Sequence, residues 1–199
     1  NPLPEAGLVR FKHPQDYMKG KLKSTVLADM HLQVKIGGDA ALLKGLIKVV
    51  DSLQSTDNEF IKTFTEGFES MIEEVRQTSW KKIVADSGID QNAIEKAGKI
   101  CAESSATIAC WAMGLTQHRN AVSVIQEVVN LLLMGGHIGR PGAGLCPVRG
   151  HSNVQGDRTV GIWEAPSKAF LDKLEKGLGF SPPTEHGLDV VNAIRAMRD

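Results

Sequence analysis

The sequence has no surplus of charge. Its 23 lysines and arginines balance 23 aspartates and glutamates, which removes the bulk electrostatic case for nucleic acid or an anionic membrane as partner and leaves any charged site to be found locally. Long apolar runs are missing too. The longest, around Leu131–Met134, is far short of the roughly 20 residues that span a bilayer. The N-terminal NPLPEAGLVRF lacks the apolar stretch of a secretory signal. Cysteine is sparse: Cys101, Cys110 and Cys146 are odd in number and form no CxxC pair, which argues against a disulfide framework or a metal knuckle and fits a reducing cytoplasm. No GxGxxG stands between a strand and a helix, which counts against a nicotinamide domain.

What is present is 199 residues, 42% of them hydrophobic, enough chain for one sizeable core or two small ones. The chain starts without Met and ends in AIRAMRD, inside a helical pattern, so a piece of a longer polypeptide is expected. Residues 1–24 are Pro-rich and weakly periodic and read as an extended lead-in. VLADMHLQVKI (26–36) reads as a β-branched, partly alternating strand; Gly37-Gly38 turns the chain, and Asp39 is the expected N-cap of a helix over AALLKGLIKVVDSL. Residues 57–104 are amphipathic and read as two or three surface-packed helices, with Asp90 as a cap. ATIACWAM then reads as a buried strand containing Cys110 as a small apolar residue, GLTQ turns the chain, and NAVSVIQEVVNLLLM forms a long helix closed by Gly135-Gly136. Two further helical patterns, SKAFLDKLEKGLG and GLDVVNAIRAMRD, flank Pro182-Pro183.

Strands alternating with helices predict an α/β fold, three-layer and dinucleotide-binding-like, with a mainly parallel sheet. In such sheets ligands bind beyond the carboxyl ends of the strands. Both strand ends carry turns that feed helix N-termini, 36–39 and 113–118, and a helix N-terminus suits phosphate. Asp39 can cap a helix or accept hydrogen bonds from a guanine edge or ribose. His31 and His13 read as structural or exposed. His118, at an expected helix start, is placed where the dipole favours a neutral imidazole able to bond a ligand.

The segment GRPGAGLCPVRGHSNVQGDRTVG (139–161) follows the long helix with almost no apolar side chains. From Gly135 to Gly161 eight residues are glycine, and Arg140, Arg149 and Arg158 face a single acid, Asp157. A flexible linker would be Gly/Ser-rich; these residues instead favour wrapping an anionic, hydrogen-bonding ligand, with arginines gripping phosphate or carboxylate.

WAMGLTQHRNAVSVIQEVVNLLLMGGHIGRPGAGLCPVRGHSNVQGDRTVG closely resembles the molybdopterin-dependent oxidoreductases of the dimethyl-sulfoxide-reductase superfamily, in particular formate-dehydrogenase-like alpha subunits. LADMHLQVKIGGDAALLKG and TEGFESMIEE match the same family in the same order. The resemblance implies a molybdenum bis-molybdopterin guanine dinucleotide cofactor threaded by the glycine loop. It assigns Gly37, Gly38 and Asp39 to a guanine dinucleotide end, and Met113, Gly114, Gln117 and His118 to the pterin. Arg149 resembles the arginine that orients a substrate carboxylate beside the metal, Asn153 and Gln155 lie in the segment that continues past the cofactor, and His151 is a candidate proton acceptor. No metal ligand is assigned, because the family's cysteine or selenocysteine ligand and iron–sulfur cysteines lie N-terminal to this region. Position 151 departs from the Gln common in formate dehydrogenases, and Cys146 from a frequent Asn.

The resemblance thus implies a fragment of a larger, cytoplasmic enzyme, inactive alone. Residues 1–161 are expected to form the cofactor-binding part with its loop at 135–161, and 162–199 a helical extension. The expected partners are a small-molecule substrate, the rest of the same polypeptide and an electron-transfer subunit, without nucleic acid or membrane. The residues leave a second reading open: an α/β nucleotide or pyrophosphate-cofactor module without molybdenum.

Overall fold

Helix caps and glycine turns set the element boundaries in the computed structural model, which describes residues 6–20, 24–163 and 165–198. Two units result, Asn1–Val148 and Arg149–Asp199. The lead-in is more structured than expected: α1 (Ala6–Val9), β1 (Arg10–Phe11) and α2 (Pro14–Met18) precede β2 (Thr25–Val26). β1 and β2 pair antiparallel, with Arg10 opposite Val26 and Phe11 opposite Thr25. Residues 1–5 and 21–23 of the lead-in lie outside the described residues. His13 is the N-cap of α2, its Nδ1 accepting from the Gln15 N–H at 3.3 Å.

The strand expected over 26–36 does not form beyond Val26. Its backbone groups go elsewhere: Val34 N–H bonds the Leu32 carbonyl at 3.0 Å, and Lys35 N–H bonds the Ser87 carbonyl at 2.8 Å. β-branched alternation makes a segment fit to be a strand, but a ladder needs a neighbour, and this segment lies against a helix end instead. His31 is accordingly not in a strand; its Nε2 meets Gln33 Oε1 at 3.3 Å.

Four helices, not two or three, fill most of 57–104, after the long helix α3 (Asp39–Ser52): α4 (Asn58–Phe64), α5 (Phe68–Gln77), α6 (Trp80–Ser87) and α7 (Gln91–Glu103). Three of them start on a side-chain cap. Asp57 Oδ1 accepts from Phe60 N–H at 2.9 Å, Ser79 Oγ from Lys82 N–H at 3.3 Å, and Asp90 Oδ1 from Ala93 N–H at 2.9 Å, the last as expected. Lys48 of α3 ends α5: its ammonium donates to the carbonyls of Val75, Arg76 and Thr78 at 3.1, 2.7 and 3.0 Å, satisfying acceptors that a helix end leaves open.

There follow β3 (Ile108–Trp111), the single helical turn α8 (Met113–Thr116) in place of a simple turn, α9 (Ala121–Met134) and β4 (Gly144–Pro147). α9 closes as a Schellman motif. Gly136, at φ +59, gives its N–H to Leu133 and His137 gives its N–H to Leu132, at 3.1 and 2.9 Å. A Cβ on Gly136 would stand 2.6 Å from Asp57 Oδ2, and Asp57 N–H bonds the Met134 carbonyl at 2.7 Å; the start of α4 is thereby fastened to the end of α9.

The first unit is organised around α3, which packs on α5, α6, α7 and α9. One core cluster holds Ile47, Val50, Ile72, Val75 and Met134; another holds Ile83, Ile89 and Ile94. Each such fully buried side chain contributes about 1.5–3 kcal/mol. α3 and α7 approach closely because glycines stand at the crossing: a Cβ on Gly98 would lie 2.5 Å from Val49 Cβ, and one on Gly45 2.7 Å from Ile94 Cγ2.

β3 and β4 pair in parallel, Ile108 opposite Gly144 through Trp111 opposite Pro147. The α/β expectation holds to the extent that helices accompany a small parallel sheet; its second strand, β4, comes from the glycine loop expected to lack secondary structure and not from 26–36, and among the described residues the pair stands as a two-stranded sheet. β3 is not buried: Ile108 and Cys110 are exposed while Ala109 and Trp111 are half-buried. Cys110 is therefore exposed and not the buried residue expected, because no described residue covers that face of the two-stranded pair.

The second unit contains α10 (Val154–Thr159), α11 (Lys168–Leu178) and α12 (Val190–Arg198), and none of the described residues in these helices is buried. Ser167 caps α11 by accepting from Phe170 N–H at 3.3 Å, and Gly179, at φ +71, ends it. Gly161, at φ +85, runs under the Phe170 ring. The break between the units falls inside the glycine loop, after Val148.

Candidate functional site

In the first unit the Gly37-Gly38 turn is clamped to the end of α6. Besides the Lys35 N–H bond to Ser87, Lys35 Nζ donates to the Ala85 carbonyl at 2.9 Å. Gly38 N–H bonds the Lys35 carbonyl at 2.8 Å, and a Cβ on Gly38 would stand 2.6 Å from the Asp86 carbonyl oxygen. Gly38 is glycine because backbone fills that space. Gly37 has a different reason: φ is +78 and no atom lies within 4 Å of its absent Cβ, so the turn needs left-handed backbone and presents open space.

The N-cap of α3 is Gly38, with no side-chain cap bond, and Asp39 is the first helical residue. The expected capping role of Asp39 is thus corrected: one position further along, its carboxylate sits in the first turn, where the dipole favours an anion, and no hydrogen bond engages it among the described residues. Lys35, which anchors this turn, was missed by sequence reasoning; a lysine in an apparent strand carries no signal that a helix end will lie beside it.

The second segment leaves β3 directly. Met113, 46% exposed, opens α8, Gly114 has open space where a side chain would be, and Gln117 N–H bonds the Met113 carbonyl at 3.0 Å. α9 starts at Ala121, with Asn120 as its cap, so His118 precedes the helix rather than starting it; its carbonyl accepts from Ala121 N–H at 3.1 Å. His118 Nε2 is buried and has no hydrogen-bond partner among the described residues. A buried polar atom left unpaired costs about 1–3 kcal/mol.

The loop's three arginines divide. Arg140 turns inward: its Nη2 lies 2.7 Å from the Ser105 carbonyl and 2.6 Å from His137 Nδ1. That nitrogen therefore helps to hold the loop's first turn in place. Arg140 and His137 line a cavity of about 310 Å³ with Cys101, Ser104, Thr107 and Leu131 among its walls. Burial, and then the Arg140 charge, hold the His137 imidazole below its usual range, Asp57 opposing. Arg158 lies over the Trp163 ring, 5.4 Å from its centroid, within the second unit. Arg149 is exposed and makes no hydrogen bond or ion pair among the described residues.

His151, Asn153 and Gln155 are also exposed, on and before α10. Asn153 is the N-cap of α10 without a side-chain bond, Val154 N–H bonds the His151 carbonyl at 3.3 Å, and the Gln155 carbonyl accepts from Thr159 Oγ1 at 2.9 Å. Their backbones are fixed by the helix and their side chains are available. Gly37, Gly38 and Asp39, and separately Met113, Gly114, Gln117 and His118, belong to the first unit, and Arg149, His151, Asn153 and Gln155 to the second. Among the described residues no cluster of His, Cys, Asp or Glu could hold a metal ion, and no helix is long and apolar enough to cross a membrane.

No protein-family model matches the chain. It is 44% identical over 205 residues to an uncharacterized oxidoreductase of Mycobacterium tuberculosis, covering all of this chain and 26% of that protein. It is 31% identical over 141 residues to formate dehydrogenase H of Escherichia coli, covering 71% of this chain and 20% of that protein. Among solved structures it is similar to acetylene hydratase from Pelobacter acetylenicus, with a TM-score of 0.53 and 32% identity over 58% of this chain and 16% of the other. The chain thus spans about a quarter or less of the length of these relatives.

Proposed function

The chain belongs to the molybdopterin-dependent oxidoreductases of the dimethyl-sulfoxide-reductase superfamily, and from that premise we propose that it is the cofactor-binding segment of a longer cytoplasmic enzyme, related to formate dehydrogenase, that carries molybdenum bis-molybdopterin guanine dinucleotide. When bound, that group supplies two-electron oxidation or reduction at its metal, and the protein supplies orientation and electrostatics. In this reading residues 1–161 carry the cofactor contacts and 162–199 extend the segment. The β3–β4 pair joins a larger parallel sheet of the three-layer kind, its other strands coming from elsewhere in the polypeptide.

The observation that carries the reading is the orphaned His118 Nε2. A buried imidazole nitrogen facing no protein partner suits a polar, heterocyclic ligand. The other residues fit the same group. Gly37 offers open backbone at positive φ before the N-terminus of a 14-residue helix, suited to a nucleotide phosphate, and the unengaged Asp39 carboxylate suits a guanine edge, which donates two parallel hydrogen bonds. Met113, Gly114 and Gln117 pack and bond along the pterin. In the second unit Asn153 and Gln155 add hydrogen bonds to the cofactor.

Arg149 anchors the substrate. Its uncommitted guanidinium forms two parallel bonds with a carboxylate such as that of formate and stays charged at working pH. An imidazole nitrogen of His151 accepts the proton that the substrate gives up. An iron–sulfur cluster in another part of the polypeptide and an electron-transfer subunit complete the electron path, and the segment alone is inactive.

The test is elemental analysis of the native full-length polypeptide for molybdenum, paired with extraction of bound nucleotide. About one molybdenum per chain together with guanine nucleotide is the expected result. A folded native chain with neither, or with an adenine nucleotide instead, overturns the reading in favour of a nucleotide module without molybdenum.

A further inference from the structure

Cys110 and Cys146 are register partners on adjacent parallel strands. Partners in a ladder point to the same face, and neighbouring strands lie about 4.8 Å apart, inside the Cα separation of roughly 4.4–6.8 Å that a disulfide accepts without backbone movement. Within this segment both thiols are exposed. They also meet, Cys146 being the side-chain hydrogen-bonding neighbour of the Cys110 thiol. The third cysteine differs on every count: Cys101 sits half-buried in α7, apart from the β3–β4 ladder, with its thiol pushed up by burial.

We propose that Cys110 and Cys146 form a reversible dithiol–disulfide pair that staples β3 to β4 when the protein meets a low-molecular-weight disulfide. The exchange balances. One protein thiolate attacks the small disulfide, forming a mixed disulfide and releasing one small thiol; the second protein thiol then displaces the other small thiol. Two protein S–H bonds and one small-molecule S–S bond become one protein S–S bond and two small thiols. The attacking species is a thiolate, so the exchange speeds up as pH rises.

The placement gives the staple a consequence. β3 runs within three residues into Met113 and β4 within three residues into Arg149, so the crosslink pins the rung from which both segments depart. The proposal stands on strand register and does not depend on the cofactor reading.

The test uses the full-length polypeptide, equilibrated with excess oxidised glutathione, blocked with an alkylating agent and cleaved after lysine, arginine and glutamate. Cleavage after Glu103 separates Cys101 from Cys110. The expected product is a peptide carrying Cys110 joined to one carrying Cys146, reversed by a reducing thiol, with Cys101 alkylated. In Cys110→Ser the expected product is a lasting glutathione adduct on Cys146, which the parent protein does not keep. Separate adducts on Cys110 and Cys146 in the parent, or both thiols still alkylatable, overturn the pairing, and a Cys110→Ser protein without the adduct overturns the exchange route.

Discussion

Arg140 Nη2 stands 2.6 Å from Nδ1 of His137, whose side chain is only 6% exposed. A guanidinium has no lone pair to offer, so Nδ1 is the acceptor and the ring is neutral in the folded protein. The pair binds the first turn of the glycine loop to the end of α9.

That neutrality makes stability fall on acidification. His137 is held below its usual value when folded, whereas unfolded it titrates near 6.5. Its contribution is complete above that unfolded value and is lost as pH falls from there toward the depressed folded one, because the unfolded state then binds the extra proton. Urea unfolding of the chain at pH 7.5 and pH 5.5 is expected to show a larger loss than in His137→Gln, which keeps an acceptor without titrating. Equal losses would remove His137 from the effect.

Gly98→Ala is expected to destabilise the first unit by about 1–3 kcal/mol, the usual cost of overpacking, because the new methyl would fall 2.5 Å from Val49 Cβ. Gly114→Ala, with open space at that position, serves as the control and should leave the thermal midpoint nearly unchanged.

Lys48→Met keeps most of the aliphatic stem and removes the ammonium shared by Val75, Arg76 and Thr78. Hydrogen bonds from a charged group are worth about 1.5–3 kcal/mol in net stability, and a loss in that range is expected in denaturant titration, with hydrogen exchange speeding first in the last turn of α5.

His118→Leu separates fold from ligand. Since His118 Nε2 has no partner among the described residues, its removal should not lower the thermal midpoint, while the molybdenum retained by the full-length enzyme should drop. A less stable protein with undiminished metal would reassign His118 to the fold.

Arg149→Lys keeps the charge and loses the paired donors. Replacing a bidentate charge-assisted contact by a single one costs about 1.5–3 kcal/mol, or roughly ten- to a hundredfold in kcat/KM of the full-length enzyme on a carboxylate substrate. Wild-type kcat/KM in the variant would end the anchoring role.

Helices were legible where a cap and a stripe agreed: Asp90 before QNAIEKAGKICAE and Gly135-Gly136 after NAVSVIQEVVNLLLM hold as read. The run 26–36 misled, because alternation describes a segment's faces and says nothing of whether a neighbouring strand is there to bond it. Cys110 misled for a related reason, its apolar neighbours being no proof of a covering layer. For the candidate site, Gly37, Gly114 and His118 have the openness or unpaired atom that a ligand requires. Lys35 and the inward turn of Arg140 depend on contacts across 50 and 35 residues of sequence, beyond the reach of any local pattern.

The register of β3 against β4 makes the chain unequally tolerant of changes in length. Gly139 and Gly142, both at positive φ with open space or only ordinary contact around them, form a slack stretch where a residue could be gained at little cost. Between Gly144 and Pro147 there is no slack: one residue added just after Gly144 would turn Leu145, Cys146 and Pro147 to the opposite face and part Cys146 from Cys110. The glycines upstream absorb variation, and the four paired residues downstream act as the ruler that sets the rung on which Cys146 meets Cys110.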